Sequence, residues 1–156
     1  MSLVKQLLIG SLVLAIGIAG WLWLTMLSPW LYDRPDHVAD IEQRSHQVFV
    51  YGTLRYAPVR WVVMRASGNP RQAVLEGFER NNLDLAPNKN ERVEGLLLEV
   101  TPAQLARLDR YERLGIRYER IKQTLADGST AWVYVRLPTL GQLFSNAPDY
   151  QVALVP

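Results

Sequence analysis

Val48-Phe49-Val50-Tyr51-Gly52-Thr53-Leu54 is the stretch on which the reading of this chain turns. A run of β-forming apolar residues meets a glycine, which predicts a short buried strand breaking into a glycine-opened loop. Such loops expose backbone N–H groups, and a group of them can hold an anion such as a carboxylate. Thr53 adds a hydroxyl, and Tyr51 adds an aromatic wall with a polar tip. Tyr-Gly-Thr also serves simply to turn a corner at a strand end, so the loop needs a chemical partner elsewhere in the chain.

That partner is sought in the helix opening at Thr101, the best-marked element of the sequence. Thr101 suits the N-cap, Pro102 the first helical position and Gln104 the third, which makes a capping box, and Gly115 supplies the stop. At about 100° per residue, with Leu105 at zero, Leu108 falls near 300° and Glu112 near 340°. Glu112 therefore sits on the apolar stripe that should face the core. Asp109, near 40°, borders the same face, whereas Arg107, Arg110 and Arg113 point more towards solvent. Burial disfavours the ionised carboxylate and raises its pKa above the ordinary ~4.3, towards the ~6–7 that suits a proton shuttle. Glu112 is equally free, on these grounds, to bend into water or to pair with Arg117. Asp84 and Glu79 are candidate carboxylate partners for it.

The other elements are short. Pro58 opens a helix through Met64, and Ser67-Gly68-Asn69-Pro70 ends it. Residues 73–78 and 93–100 read as extended, with a polar loop centred on Pro87 at 81–90. Residues 118–125 and 131–137 form a β-hairpin around Asp127-Gly128, and 150–155 adds an edge strand. Trp61 and Trp132 are read as core, since tryptophan supplies much buried area. Strands dominate and no βαβ alternation occurs, which predicts an α+β domain on a mixed sheet or small barrel.

Upstream, no charged residue occurs between Lys5 and Asp33, and residues 7–27 are almost wholly apolar. About 20 such residues cross a bilayer as a helix, and Trp21, Trp23 and Trp30 cluster where an aromatic belt would sit. Gly17-Ile18-Ala19 resembles a signal-peptidase site, but the apolar run continues beyond it, which favours a retained anchor. Ser11, Ala15 and Ala19, four residues apart, either face lipid as ordinary small residues or let two such helices pack as a homodimer. Residues 1–32 are thus read as a membrane anchor, 33–46 as a tether broken by Pro35, and 47–156 as the domain. Lys5 on one side and Arg34 and Arg44 on the other leave the orientation open. The net charge of +2 is spread among interleaved acids, without the basic block that nucleic-acid binding requires. The chain has no cysteine, which excludes disulfides and thiolate chemistry. His37 and His46 are its two histidines, and both are read as tether, which leaves no histidine metal site.

Three blocks together resemble the γ-glutamylcyclotransferase-like (AIG2-like) family. They are Val48-Phe49-Val50-Tyr51-Gly52-Thr53-Leu54-Arg55, then Val93-Glu94-Gly95-Leu96-Leu97-Leu98-Glu99-Val100, then Leu108-Asp109-Arg110-Tyr111-Glu112 followed by Tyr118-Glu119-Arg120. The resemblance implies a small mixed β-barrel with flanking short helices. It implies that Tyr51, Gly52, Thr53 and Leu54 hold the carboxylate end of a small-molecule γ-glutamyl substrate, that Glu112 is the general acid/base, and that Tyr118 lines the pocket. It implies cyclisation to 5-oxoproline with no cofactor and no metal. The membrane anchor departs from the commoner family pattern. A non-catalytic membrane-tethered module, binding an acidic metabolite in the same pocket, is the alternative reading of these residues.

Overall fold

The computed structural model describes residues 2–38 and 40–138, so the strand expected at 150–155 lies outside the described residues. Its five strands are β1 (His46–Val50), β2 (Arg71–Asn81), β3 (Asp84–Val100), β4 (Tyr118–Thr124) and β5 (Thr130–Arg136). They form one sheet in the order β2-β3-β1-β5-β4, antiparallel throughout except for the parallel β1–β5 pair. The sheet curls into a half-barrel, flanked by α2 (Ala57–Met64) and α3 (Pro102–Glu112) and preceded by α1 (Leu3–Met26). The α+β architecture matches the one expected.

β1 lies at the centre because both of its faces are apolar. Val48 and Val50 join the core beneath the helices, with Met64, Leu105 and Leu108. Phe49 and Tyr51 join a second core on the other face, with Leu75, Leu97 and Val133. A strand buried on both sides reads as a continuous apolar run rather than an alternating one. Gly95 of β3 allows that packing: a Cβ there would come within 2.5 Å of the Val50 carbonyl oxygen and 2.6 Å of Phe49 Cζ.

α3 begins as its sequence predicts. The Thr101 hydroxyl accepts from the Gln104 amide, and the Gln104 side chain accepts from the Thr101 amide. It ends slightly earlier than expected, because Arg113 itself adopts the left-handed conformation (φ 52°), with Gly115 following at φ 79°. A buried cluster locks α3 to the sheet. Both Asp109 carboxylate oxygens accept from the Arg120 guanidinium at 2.8 Å, and the Tyr134 hydroxyl donates to Oδ1 at 2.6 Å. Asp109 is 1% exposed. Burial raises its pKa, while the Tyr134 hydrogen bond and the Arg120 charge pull the other way.

Four expectations need correction. Residues 81–90 are not a loop: β2 and β3 form a long two-stranded arm that turns at Asn82-Leu83, with Asn82 left-handed at φ 58°. Pro87 is tolerated within it because this half of β3 pairs with β2 alone, so one edge is free, and a register shift at Glu76/Phe78 lies beside it. His46 belongs to the sheet, not the tether: it pairs with Val100 and is buried. Trp61 is not core but 58% exposed on the outer face of α2. Trp132 is half-buried, with Arg120 and Lys122 over its ring. Finally, the segment read as tether packs on the domain, with Tyr32, Val38 and Ile41 against the core beneath the helices. α1 is 24 residues long, none of them buried, and it is long and apolar enough to cross a membrane, a description that a signal sequence also meets.

Two substitutions test these packing arguments. Gly95→Ala should lower stability by about 1–3 kcal/mol through overpacking, visible as a drop in Tm; an unchanged Tm would show that β1 and β3 lie farther apart than described. Asp109→Ala strands the Arg120 guanidinium and should cost about 3–5 kcal/mol in urea unfolding, with Asp109→Leu/Arg120→Met together costing less than Asp109→Ala alone. Additive losses in the pair would contradict the coupling.

Candidate active site

The loop residues, the glutamate and the tyrosine singled out in the sequence line one cavity of ≈ 300 Å³. Tyr51, Gly52, Thr53 and Leu54 contribute one part of its wall, and Glu112 and Tyr118 another. Leu83, from the tip of the β2–β3 arm, and Met26, from the last turn of α1, also line it. This volume is at the lower end of the range for small-molecule sites.

The Gly52–Leu54 segment leaves β1 and enters a 3-10 turn, Thr53–Arg55. The first hydrogen bonds of the turn run from the Arg55 amide to the Gly52 carbonyl and from the Tyr56 amide to the Thr53 carbonyl. The amides of Thr53 and Leu54 precede them and are left as donors. Gly52 has φ −101° and ψ −135°, and a Cβ there would have a single neighbour, Leu83 Cδ2 at 4.0 Å. Glycine's part is thus to keep the approach to these amides clear. The carbonyl side of the turn is gripped by Arg60, a buried guanidinium that donates to the carbonyls of Leu54 (3.0 Å), Arg55 (2.7 Å) and Ser67 (2.8 Å). Arg60 thereby fixes the C-terminal end of the turn. Nothing in the local sequence marks Arg60 for this task, since its acceptors are backbone atoms brought together by α2.

Glu112 is the last residue of α3 and is only partly exposed. Its carboxyl pKa is raised to about 7, chiefly by desolvation, with Asp84 adding to the rise and Arg117 opposing it. Arg117 lines the same cavity without forming an ion pair with Glu112. Asp84 is a partner through the field alone, because its oxygens accept from the Tyr118 hydroxyl (2.7 Å) and from Arg136 (2.7 Å). Glu79 is engaged by Asn81 and Asn88 and does not line the cavity. The Asp84 contacts join the arm tip to β4 and β5 and so close the half-barrel over the cavity.

The polar groups of the tyrosines serve structure. The Tyr51 hydroxyl donates to the Tyr134 carbonyl at 2.7 Å and is buried, so its tip is not a free donor; burial raises its pKa far above the ordinary value. Burial, then Asp84, pushes Tyr118 up to about 12. Both rings therefore act as walls carrying neutral phenols. Thr53 Oγ1 lies 3.1 Å from the hydroxyl of Tyr111, a cavity residue that the sequence reading passed over although it adjoins Glu112. Among the described residues, no group of three or more His, Cys, Asp or Glu side chains is arranged to hold a metal ion.

Residues 48–151 match the family model described as gamma-glutamyl cyclotransferase, AIG2-like. No curated protein matches the chain. Among solved structures, it is similar to two Arabidopsis thaliana proteins determined in solution, each 27% identical. One has a TM-score of 0.51 over 64% of this chain and 66% of its own, just under two thirds of its length. The other has a TM-score of 0.54 over 66% of this chain and 76% of its own. A structure titled gamma-glutamyl cyclotransferase, at 15% identity and a TM-score of 0.50 over 60% of this chain and 68% of its own, shares the fold. With the family model covering two thirds of its length, this chain belongs to the gamma-glutamyl cyclotransferase, AIG2-like family.

Proposed function

We propose that the protein cyclises γ-glutamyl compounds to 5-oxoproline, with Glu112 as the general acid/base, and that α1 tethers it to a membrane. One juxtaposition supports the reading: a desolvated carboxyl with a pKa of about 7 and residues 52–54, where the 3-10 turn opens, wall the same cavity.

The reaction is an intramolecular aminolysis. The α-nitrogen of the γ-glutamyl unit attacks the side-chain carbonyl carbon, a C–N bond closes the ring, and the bond to the leaving nitrogen breaks. Two protons leave the α-ammonium and two arrive on the departing amine, so a single carboxylate able to take and return a proton near neutral pH suffices. The Thr53 and Leu54 amides hold the α-carboxylate, which fixes the folded conformer in which nitrogen meets carbonyl. Arg117 keeps part of the Glu112 population ionised in an otherwise desolvating site.

Release of 5-oxoproline from a panel of γ-glutamyl amides by the full chain tests the reading. Glu112→Gln should lower kcat/KM by about 10²-fold or more. Wild-type kcat/KM should rise with pH along a limb centred near pH 7, and Arg117→Gln should move that limb upward by removing a cation that favours the carboxylate. Full activity in Glu112→Gln would overturn the assignment; ligand-induced thermal stabilisation without product would identify a binding module instead.

Glu112 also marks stability. Its folded pKa of about 7 exceeds the ordinary 4.5, so between these values the folded chain binds more protons than the unfolded one. Stability from this group therefore falls as pH rises through that window, and the deficit is complete above it. Glu112→Gln should raise unfolding free energy at pH 8 by on the order of 2 kcal/mol and leave it nearly unchanged at pH 4.5. A pH-independent effect of the substitution in urea titrations would contradict the raised pKa.

A further inference from the structure

A second cavity, ≈ 490 Å³, lies beside the first. α1 lines it with Ala19, Leu22, Trp23 and Met26, and α2 with Val59 and Val62. Apart from the Trp23 indole and the Tyr111 phenol, its lining side chains are hydrocarbon or thioether, and none is charged. Met26 and Tyr111 line both cavities, so these two side chains form the partition between them. Tyr111 directly precedes Glu112, and its hydroxyl reaches Thr53 Oγ1, so the partition stands beside both halves of the candidate site. Tyr56, Trp61 and Val62 of the α2 region are exposed, and Val62 also lines the groove, which α1, a helix apolar enough to enter a bilayer, walls on its other part.

Resting on the cyclisation reading, we propose that the leaving group of the substrate is an apolar amine whose alkyl chain lies in this groove. The substrate class is then a γ-glutamyl amide of a long-chain primary amine: a zwitterionic head for the first cavity and a hydrocarbon tail for the second. A leaving amino acid would carry a carboxylate into a groove without a cation, and an unpaired charge there is strongly disfavoured. The groove joins the first cavity at Met26 and Tyr111; it also shares Trp23, Leu27, Val62 and Val63 with another cleft, which makes a bilayer phospholipid the rival occupant. A phospholipid would set its acyl chain in the groove and its phosphate in the adjoining cleft lined by Arg65, Arg107 and Arg110.

The test uses the full chain in phosphatidylcholine nanodiscs, with γ-glutamyl-methylamide, -butylamide and -octylamide as substrates and 5-oxoproline as readout. KM should fall about twofold to fourfold per added methylene between butyl and octyl. Ala19→Phe, which fills the groove from the exposed side of α1, should collapse the octyl-to-methyl KM ratio; Val59→Phe, filling it from α2, should do the same. A chain-length gain that survives both substitutions is membrane partitioning of the substrate and overturns the groove. Equal KM for methyl and octyl amides also overturns it, while leaving cyclisation standing. No product from any of the three overturns the cyclisation reading and this inference with it.

Discussion

The buried Asp109 carboxylate is the constraint on which the candidate site depends. Arg120 Nη1, shared by both of its oxygens, and the bond from Tyr134 tie one turn of α3 to β4 and β5 at once. Glu112 follows one turn later on the same helix, and its place at the cavity wall is inherited from that attachment. A buried ion pair is a weak source of net stability, because desolvating both charges offsets most of their attraction. What it supplies here is geometry. Leucines alone would let α3 slide or rotate on the sheet at small loss, whereas buried charged hydrogen bonds from Arg120 and Tyr134 to one carboxylate are directional. The Tyr134 phenol belongs to the same cluster and also lines the cavity, so the lock and the site share a residue.

The second constraint is closure. An open half-barrel would expose Glu112 to water and leave its pKa near the ordinary value. The β2–β3 arm prevents this by bringing Leu83 over the cavity and anchoring Asp84 to Tyr118 and Arg136. The anchor is itself an anion, so the arm raises the Glu112 pKa both by excluding solvent and by its charge. Arg117 limits the effect from within the cavity. The resulting value near 7 is the balance of one large desolvation effect and two smaller charges of opposite sign, which places proton uptake and release within reach of neutral pH.

How much of this was legible in the sequence follows the range of the interactions. Thr101, Pro102 and Gln104 announce their helix because capping is local, and the positions of Leu105, Leu108 and Glu112 on that helix follow from its pitch. The apolar run at 48–51 marked a doubly buried strand, and the glycine after it marked the turn. Helix pitch also places Asp109 at the margin of the buried face, but its deeper burial than Glu112 depends on Arg120 and Tyr134 arriving from two other strands. The arm was misread because Asn81, Asn82 and Pro87 are turn formers; a two-stranded ribbon with a free edge accommodates all three. Arg60 and Met26 carried no signal, because each acts on backbone or cavity atoms supplied by a distant part of the chain. Trp61 was misjudged by the ordinary rule that tryptophan is buried, a rule that fails on an apolar surface beside a membrane-length helix.

α1 and the segment that follows it also reach the site. Arg110 of α3 donates to the Leu27 carbonyl, the Tyr32 hydroxyl donates to the Leu114 carbonyl, and Pro35 sits over Gly115, where a Cβ would approach its Cγ to 2.6 Å. These ties hold the C-terminal end of α3 from outside, opposite the Asp109 lock that holds it from within. Met26 then completes the cavity wall. The segment between α1 and β1 therefore couples the position of Glu112 to the position of α1. A fragment beginning at β1 would keep the strands and the buried ion cluster, yet lose the Tyr32, Val38 and Ile41 cover of the core beneath the helices, one wall of the cavity and the outer support of the helix end. The residues that lead in from α1 thus serve packing and site geometry together, because the same segment covers the core and supports the helix end that carries Glu112.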